Sequence, residues 1–159
     1  MFERIGDLPL HVLVIHLTVV LLPVAALTAI VFALVPRWRR LLRWPALVLG
    51  VGSLVMAFVA KESGEAFVAA VPTLAKAVEL HEQRGNLLFW YCLIFAVVAV
   101  AAFLLLRERG PAGEARTSRP LELLTQAAVV VIAVLVIWQT VRTGDAGARA
   151  VWEGQLPAK

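Results

Sequence analysis

Nearly unbroken apolar runs alternate with short polar stretches along the chain, and the runs are long. Val12 to Val35, Pro45 to about Ala60, Leu87 to Leu106 and Leu121 to Val141 contain almost no charge. About twenty apolar residues in a helix rising 1.5 Å per residue cover the roughly 30 Å hydrocarbon core of a bilayer. The pattern therefore predicts an all-α integral membrane four-helix bundle, one domain over 1–159, with spanning helices at about 12–35, 45–60, 87–106 and 121–141. Pro23 removes a backbone bond inside the first helix and should kink it, and Pro45 suits the first turn of the second.

The polar stretches add detail. Gly50, Ser53, Ala57, Ala60 and Gly64 recur at helical spacing on the second helix. Such a stripe lets a second backbone, or a flat cofactor, approach closely, and plain helix packing is its simpler meaning. The segment from Lys61 to about Gln83 is too polar to cross a bilayer, and Pro72 can open a short outer helix over about 72–84. There Leu74, Val78 and His81 share one face. That face continues through Gly85, Leu88, Cys92, Phe95, Ala99 and Ala102 if the third helix begins before the membrane does. The fourth helix should end near Val141 and leave through a glycine-rich turn, with Trp152 returning to the interface.

The 159 residues are 61% hydrophobic with a mean hydropathy of +0.86. A soluble domain of this size could not bury so much apolar surface. The net charge of +4 reflects arginines in short loops, and no basic face with interleaved aromatics exists, so nucleic acid is not a partner. One cysteine, Cys92, rules out an internal disulfide and reads as a small buried hydrophobe. Met1 to Leu10 mixes charges of both signs and lacks the positive start of a signal peptide.

Charge placement orients the chain. Pro36–Trp44 and Arg107–Pro120 carry four arginines each, while the opposite side has seven Lys or Arg spread thinly and eight of the eleven acids. The positive-inside rule makes the arginine-dense side cytoplasmic and both termini extracytoplasmic. His11, His16, Glu62, Glu65, His81, Glu82 and Asp145 then gather at the outer end. Each half also has a histidine near the outer start of its first helix, a basic turn, and a small-polar-acid exit: Ser63-Gly64-Glu65-Ala66 and Thr143-Gly144-Asp145-Ala146. Read as a repeat, these make His16 and His81 equivalent and put them face to face.

The motif His11-Val12-Leu13-Val14-Ile15-His16-Leu17 with Pro23, the Ser63-Gly64 exit, His81-Glu82, and the tail from Thr143 to Trp152 together resemble the DUF2231 family of small bacterial predicted membrane proteins. The resemblance covers nearly the whole chain. It implies a multi-pass, four-helix domain of a bacterial cell membrane, with no function assigned to it. Relatives can be fused to Rieske-type or cytochrome-like domains, which implies redox chemistry and a redox partner of that kind. The family tail often carries histidine where this chain has Asp145, so the tail is not expected to supply a nitrogen ligand.

Three functions fit these residues. His16 and His81 could be axial ligands of a b-type haem in an electron-transfer subunit, since bundles build cofactor sites from facing helices and paired imidazoles suit an electron-carrying iron. Gly64, Gly144 and Trp152 complete that cofactor set. With metal–nitrogen bonds of about 2 Å, the two nitrogens would stand roughly 4 Å apart. Alternatively, His11, His16, His81, Glu65 and Asp145 could hold zinc or copper. Residues five apart on a helix diverge by about 140°, so His11 and His16 share an ion only if His11 precedes the helix. Without a cofactor, the chain would be a structural or assembly protein, able to form a homo-oligomer in the bilayer, with its imidazoles bonded to carboxylates. No nucleophile with a base and no phosphate-binding loop occurs, so catalysis is not expected.

Overall fold

A computed structural model describes residues 4–5, 8–106 and 117–152. Four helices account for almost all of them: α1 (Leu10–Leu34), α2 (Arg39–Ala70), α3 (Ala75–Leu105) and α4 (Arg119–Trp152). Each is long and apolar enough to cross a membrane. Short 3₁₀ turns at Pro36–Trp38 and Pro72–Leu74 join α1 to α2 and α2 to α3. A two-residue antiparallel pairing, Arg4–Ile5 with Leu8–Pro9, precedes α1. Most of the basic stretch between α3 and α4, 107–116, lies outside the described residues.

The helices run up and down, each packing on its two neighbours around the bundle, with α1 diagonal to α3 and α2 diagonal to α4. Their buried faces are built from small residues and a few large ones. Leu22, Ala25, Ala26 and Phe32 of α1 meet Cys92, Phe95 and Ala102 of α3 and Val129, Ala133 and Val136 of α4 in one core. Small side chains bring helix backbones together where hydrocarbon gives no hydrophobic drive. At Gly50 an added Cβ would stand 2.6 Å from the Ala99 methyl, so the closest approach of α2 and α3 requires glycine there. The lower part of the predicted small-residue stripe, Gly50, Ser53 and Ala57, is thus buried packing surface.

Three helices outrun their apolar runs. α2 continues ten residues past Ala60, the segment 75–84 belongs to α3 rather than to a separate short helix, and α4 continues through Gly144 and Gly147 to Trp152. Hydropathy marks where a chain leaves hydrocarbon, and helix propensity decides where the helix stops. Lys61, Glu62, Glu65 and Ala66 are good helix formers, and Lys61 pairs with Glu65 one turn on. At 32 residues, α2 is about 48 Å long, well beyond the bilayer core. α2 also starts before Pro45. The carbonyl left without a donor is that of Leu41, which is exposed at the bundle end.

An ion pair between buried Arg39 and half-buried Glu122 closes the loop end. Arg39 donates from Nη1 to Glu122 Oε1 at 2.8 Å and from Nη2 to the Ala33 carbonyl at 3.0 Å. One guanidinium thereby satisfies a terminal carbonyl of α1 and ties α2 to α4.

Candidate functional site

At the opposite end the polar side chains converge on the bundle axis. His11, in the first turn of α1, reaches across to α2, where its Nδ1 lies 3.0 Å from the Ala60 carbonyl and 3.3 Å from Ser63 Oγ. His81 of α3 reaches across to α4, with Nδ1 2.9 Å from the Thr143 carbonyl. A carbonyl oxygen only accepts, so in both rings Nδ1 carries the proton and donates it. Nε2 is then left with its lone pair. Anchoring Nδ1–H on a backbone oxygen is the support that metal-binding imidazoles generally have. The ring centres stand 6.1 Å apart with their planes 80° to one another.

Glycine seats each ring. A Cβ at Gly64 would stand 3.0 Å from His11 Cε1, and one at Gly147 would stand 2.9 Å from His81 Nδ1. An added Cβ would make the imidazole shift at Gly147 and give by a few tenths of an ångström at Gly64. Beneath the pair, α4 contributes buried Gln139 and Thr143. Gln139 donates to the Arg84 carbonyl at 2.9 Å, while its Oε1, Thr143 Oγ1 and Arg84 Nε have no partner. Arg84 itself donates to the Arg142 carbonyl at 2.7 Å and lies 3.5 Å from Asp145.

The structure distributes the expected site residues unevenly. His81 and Gly64 lie in the site. His16, expected opposite His81, is exposed on the outer face of α1 and bonds through Nδ1 to the Val12 carbonyl of its own helix. His11 takes the place opposite His81. Glu65 is exposed and paired with Lys61; Asp145 is exposed and held by Arg149 at 3.1 Å. Neither carboxylate reaches the imidazoles, and among the described residues no three His, Cys, Asp or Glu side chains cluster as a metal site. Gly144 faces open space, and the seat under His81 is Gly147. Trp152 is exposed at the end of α4.

Sequence reasoning missed the side chains of Ser63, Gln139 and Thr143, and the backbone at Gly147, as parts of the site. Extending α4 as a helix would have placed Gln139, Thr143 and Gly147 on one face at intervals of four, so the missing step was the helix boundary rather than the residues. No curated protein and no solved structure matches the chain. A family model described as a predicted membrane protein, DUF2231, matches residues 7–159. With nearly its whole length covered, the chain belongs to the DUF2231 family.

Proposed function

We propose that the chain is a membrane electron-transfer subunit in which His11 and His81 are the two axial ligands of a b-type haem iron. The observation that carries this reading is a pair of imidazoles on diagonal helices, each with Nδ1–H anchored to a carbonyl and ring centres 6.1 Å apart. With metal–nitrogen bonds of about 2 Å and a ring centre roughly 1 Å beyond each nitrogen, imidazoles on opposite sides of one ion have centres ~6 Å apart, against ~5 Å at a tetrahedral angle.

Donor count also favours haem. A structural zinc takes four protein ligands and a catalytic one takes three, whereas a porphyrin fills the equatorial positions and needs only the axial two. A haem held by His11 and His81 would sit at this end of the bundle, between the α1–α2 and α3–α4 hairpins. Ala60, Ser63 and Gly64 on one side and Thr143, Ala146 and Gly147 on the other put no large side chain in its way. Bound there, haem would supply reversible one-electron chemistry, and the protein would hold it by the two Nε2 atoms.

Depth supports a soluble or membrane-anchored redox partner, of Rieske-like or cytochrome-like kind. Exposed Trp138 lies five residues before Thr143, and exposed Trp90 nine after His81, both toward the bundle middle. If tryptophans mark the headgroup level, the imidazoles sit roughly 7–13 Å nearer water. The arginine-dense loops at the other end support an extracytoplasmic position for this end in a bacterial cell membrane. A second reading, one copper(I) ion between the imidazoles, is favoured by the same separation, because a single ion needs no room beyond the gap between the two rings.

The test is an absorption spectrum of the full-length protein purified after haem-replete expression, oxidised and dithionite-reduced, with metal analysis of the same sample. A Soret band with iron near one per chain is expected. Stoichiometric copper without a Soret band would replace haem by the second reading, and neither metal would overturn both.

A further inference from the structure

We propose that the chain is two diverged copies of one helical hairpin, α1–α2 and α3–α4, related by a two-fold axis along the bundle that passes between His11 and His81 at one end and between Arg39 and Glu122 at the other. The two-fold relation holds with or without a bound metal.

The register is set by the imidazole seats. His81 stands 70 positions after His11, while Thr143 and Gly147 stand 83 after Ala60 and Gly64. Each half thus repeats the same arrangement: a histidine on the first helix, donating to a carbonyl of the second, over the glycine four residues on. This replaces the alignment of Ser63-Gly64 with Thr143-Gly144 and of His16 with His81 that the sequence suggests. The burial pattern, which played no part in setting that register, obeys it. Every buried residue within α3, namely Leu88, Cys92, Phe95, Ala96, Ala99 and Ala102, falls 70 positions after a buried residue of α1. Ala46, Gly50, Ser53, Ala57 and Ser63 of α2 map in the same way, 83 positions on, to buried residues of α4.

The remaining buried residue of α2, Arg39, maps onto Glu122, the residue it pairs with at 2.8 Å. Equivalent residues on diagonal helices meet only on a two-fold axis, and both ends of the bundle show such a meeting. The core between them carries one large ring per level. Phe95 corresponds to Ala25 and Phe32 to Ala102, as expected where two rings facing each other across an axis would collide. The offsets differ by 13, and the extra positions fall between Ala102 of α3 and Glu122 of α4.

Exchange of residues across the axis tests the relation in the full-length protein. Leu22 and Cys92 each lie eleven positions, about three turns, below their histidine, and both are fully buried. Leu22→Cys opens a cavity and Cys92→Leu overpacks. Each should lower the thermal midpoint in detergent under reductant by about 5 °C or more. The double exchange should recover at least half of the summed loss, because a shared layer keeps its volume. The pair Arg39→Glu and Glu122→Arg should behave likewise, with each single reversal facing like charges across the axis. If a single variant cannot be purified, recovery of the double is the expected result. Additive losses in both pairs would place these residues more than about 7–10 Å apart and overturn the relation. Absence of haem or copper would leave this outcome untouched.

Discussion

Gly147→Ala separates helix propensity from the seat of an imidazole. Glycine inside a helix costs about 0.8–1.0 kcal/mol relative to alanine, so a glycine that touches nothing should give that amount back when replaced. Gly144 is such a position, exposed and with nothing within 4 Å of an added Cβ. At Gly147, one turn away on the same helix, the Cβ would stand 2.9 Å from His81 Nδ1 and 3.0 Å from Cε1. Relieving those contacts swings the ring away from the Thr143 carbonyl, which it meets at 2.9 Å. The change loses a hydrogen bond of about 1 kcal/mol and adds overpacking of roughly 1–3 kcal/mol. Set against the propensity gain, the net is a loss of about 1–3 kcal/mol. Thermal unfolding in detergent, followed by circular dichroism, should move up by about 3 °C for Gly144→Ala and down by about 3–9 °C for Gly147→Ala. Equal stabilisation by both substitutions would mean that His81 does not rest on residue 147, and the site would have to be rebuilt.

Other outcomes follow from the same contacts. Arg39→Ala should cost about 3 kcal/mol, since it strands Glu122 and the Ala33 carbonyl in a place that water reaches poorly; denaturation of the purified variant in mixed micelles measures it. Gln139→Met introduces the residue found 83 positions earlier, Met56; it removes a buried amide oxygen without a partner but also the 2.9 Å donation to the Arg84 carbonyl. The two effects offset, so the change should stay within about 1 kcal/mol of wild type, and a loss above about 2 kcal/mol in the same assay would contradict that balance.

How far the sequence was legible depends on which physical signal it carried. Four spanning helices follow from length and hydropathy alone, because hydrocarbon tolerates no other way of satisfying the backbone along such runs. Their outer ends were misplaced because Lys61 to Ala70 is polar and still a good helix former. Which of His11 and His16 faces the bundle interior was not legible for a different reason. In a run apolar all round, hydrophobicity does not tell the inner face from the lipid face. The inner face is instead marked by small and hydroxylated residues, Thr18, Ala25, Ala26, Ala29 and Ala33. Stepping back from Thr18 by four and then three residues leads through Val14 to His11. The carboxylates were legible as outer-end residues, but nearby cations hold them: Lys61 takes Glu65, and Arg84 and Arg149 take Asp145.

The central claim is that His11 and His81 share one metal centre and His16 does not. Absorption spectra of haem-replete wild-type, His11→Ala, His16→Ala and His81→Ala proteins, with iron measured per chain, test it most directly. A Soret band in the wild type that survives His16→Ala and is lost or shifted to a five-coordinate form in both other variants is the predicted result. A band that depends on His16, or that survives loss of His11, would contradict it.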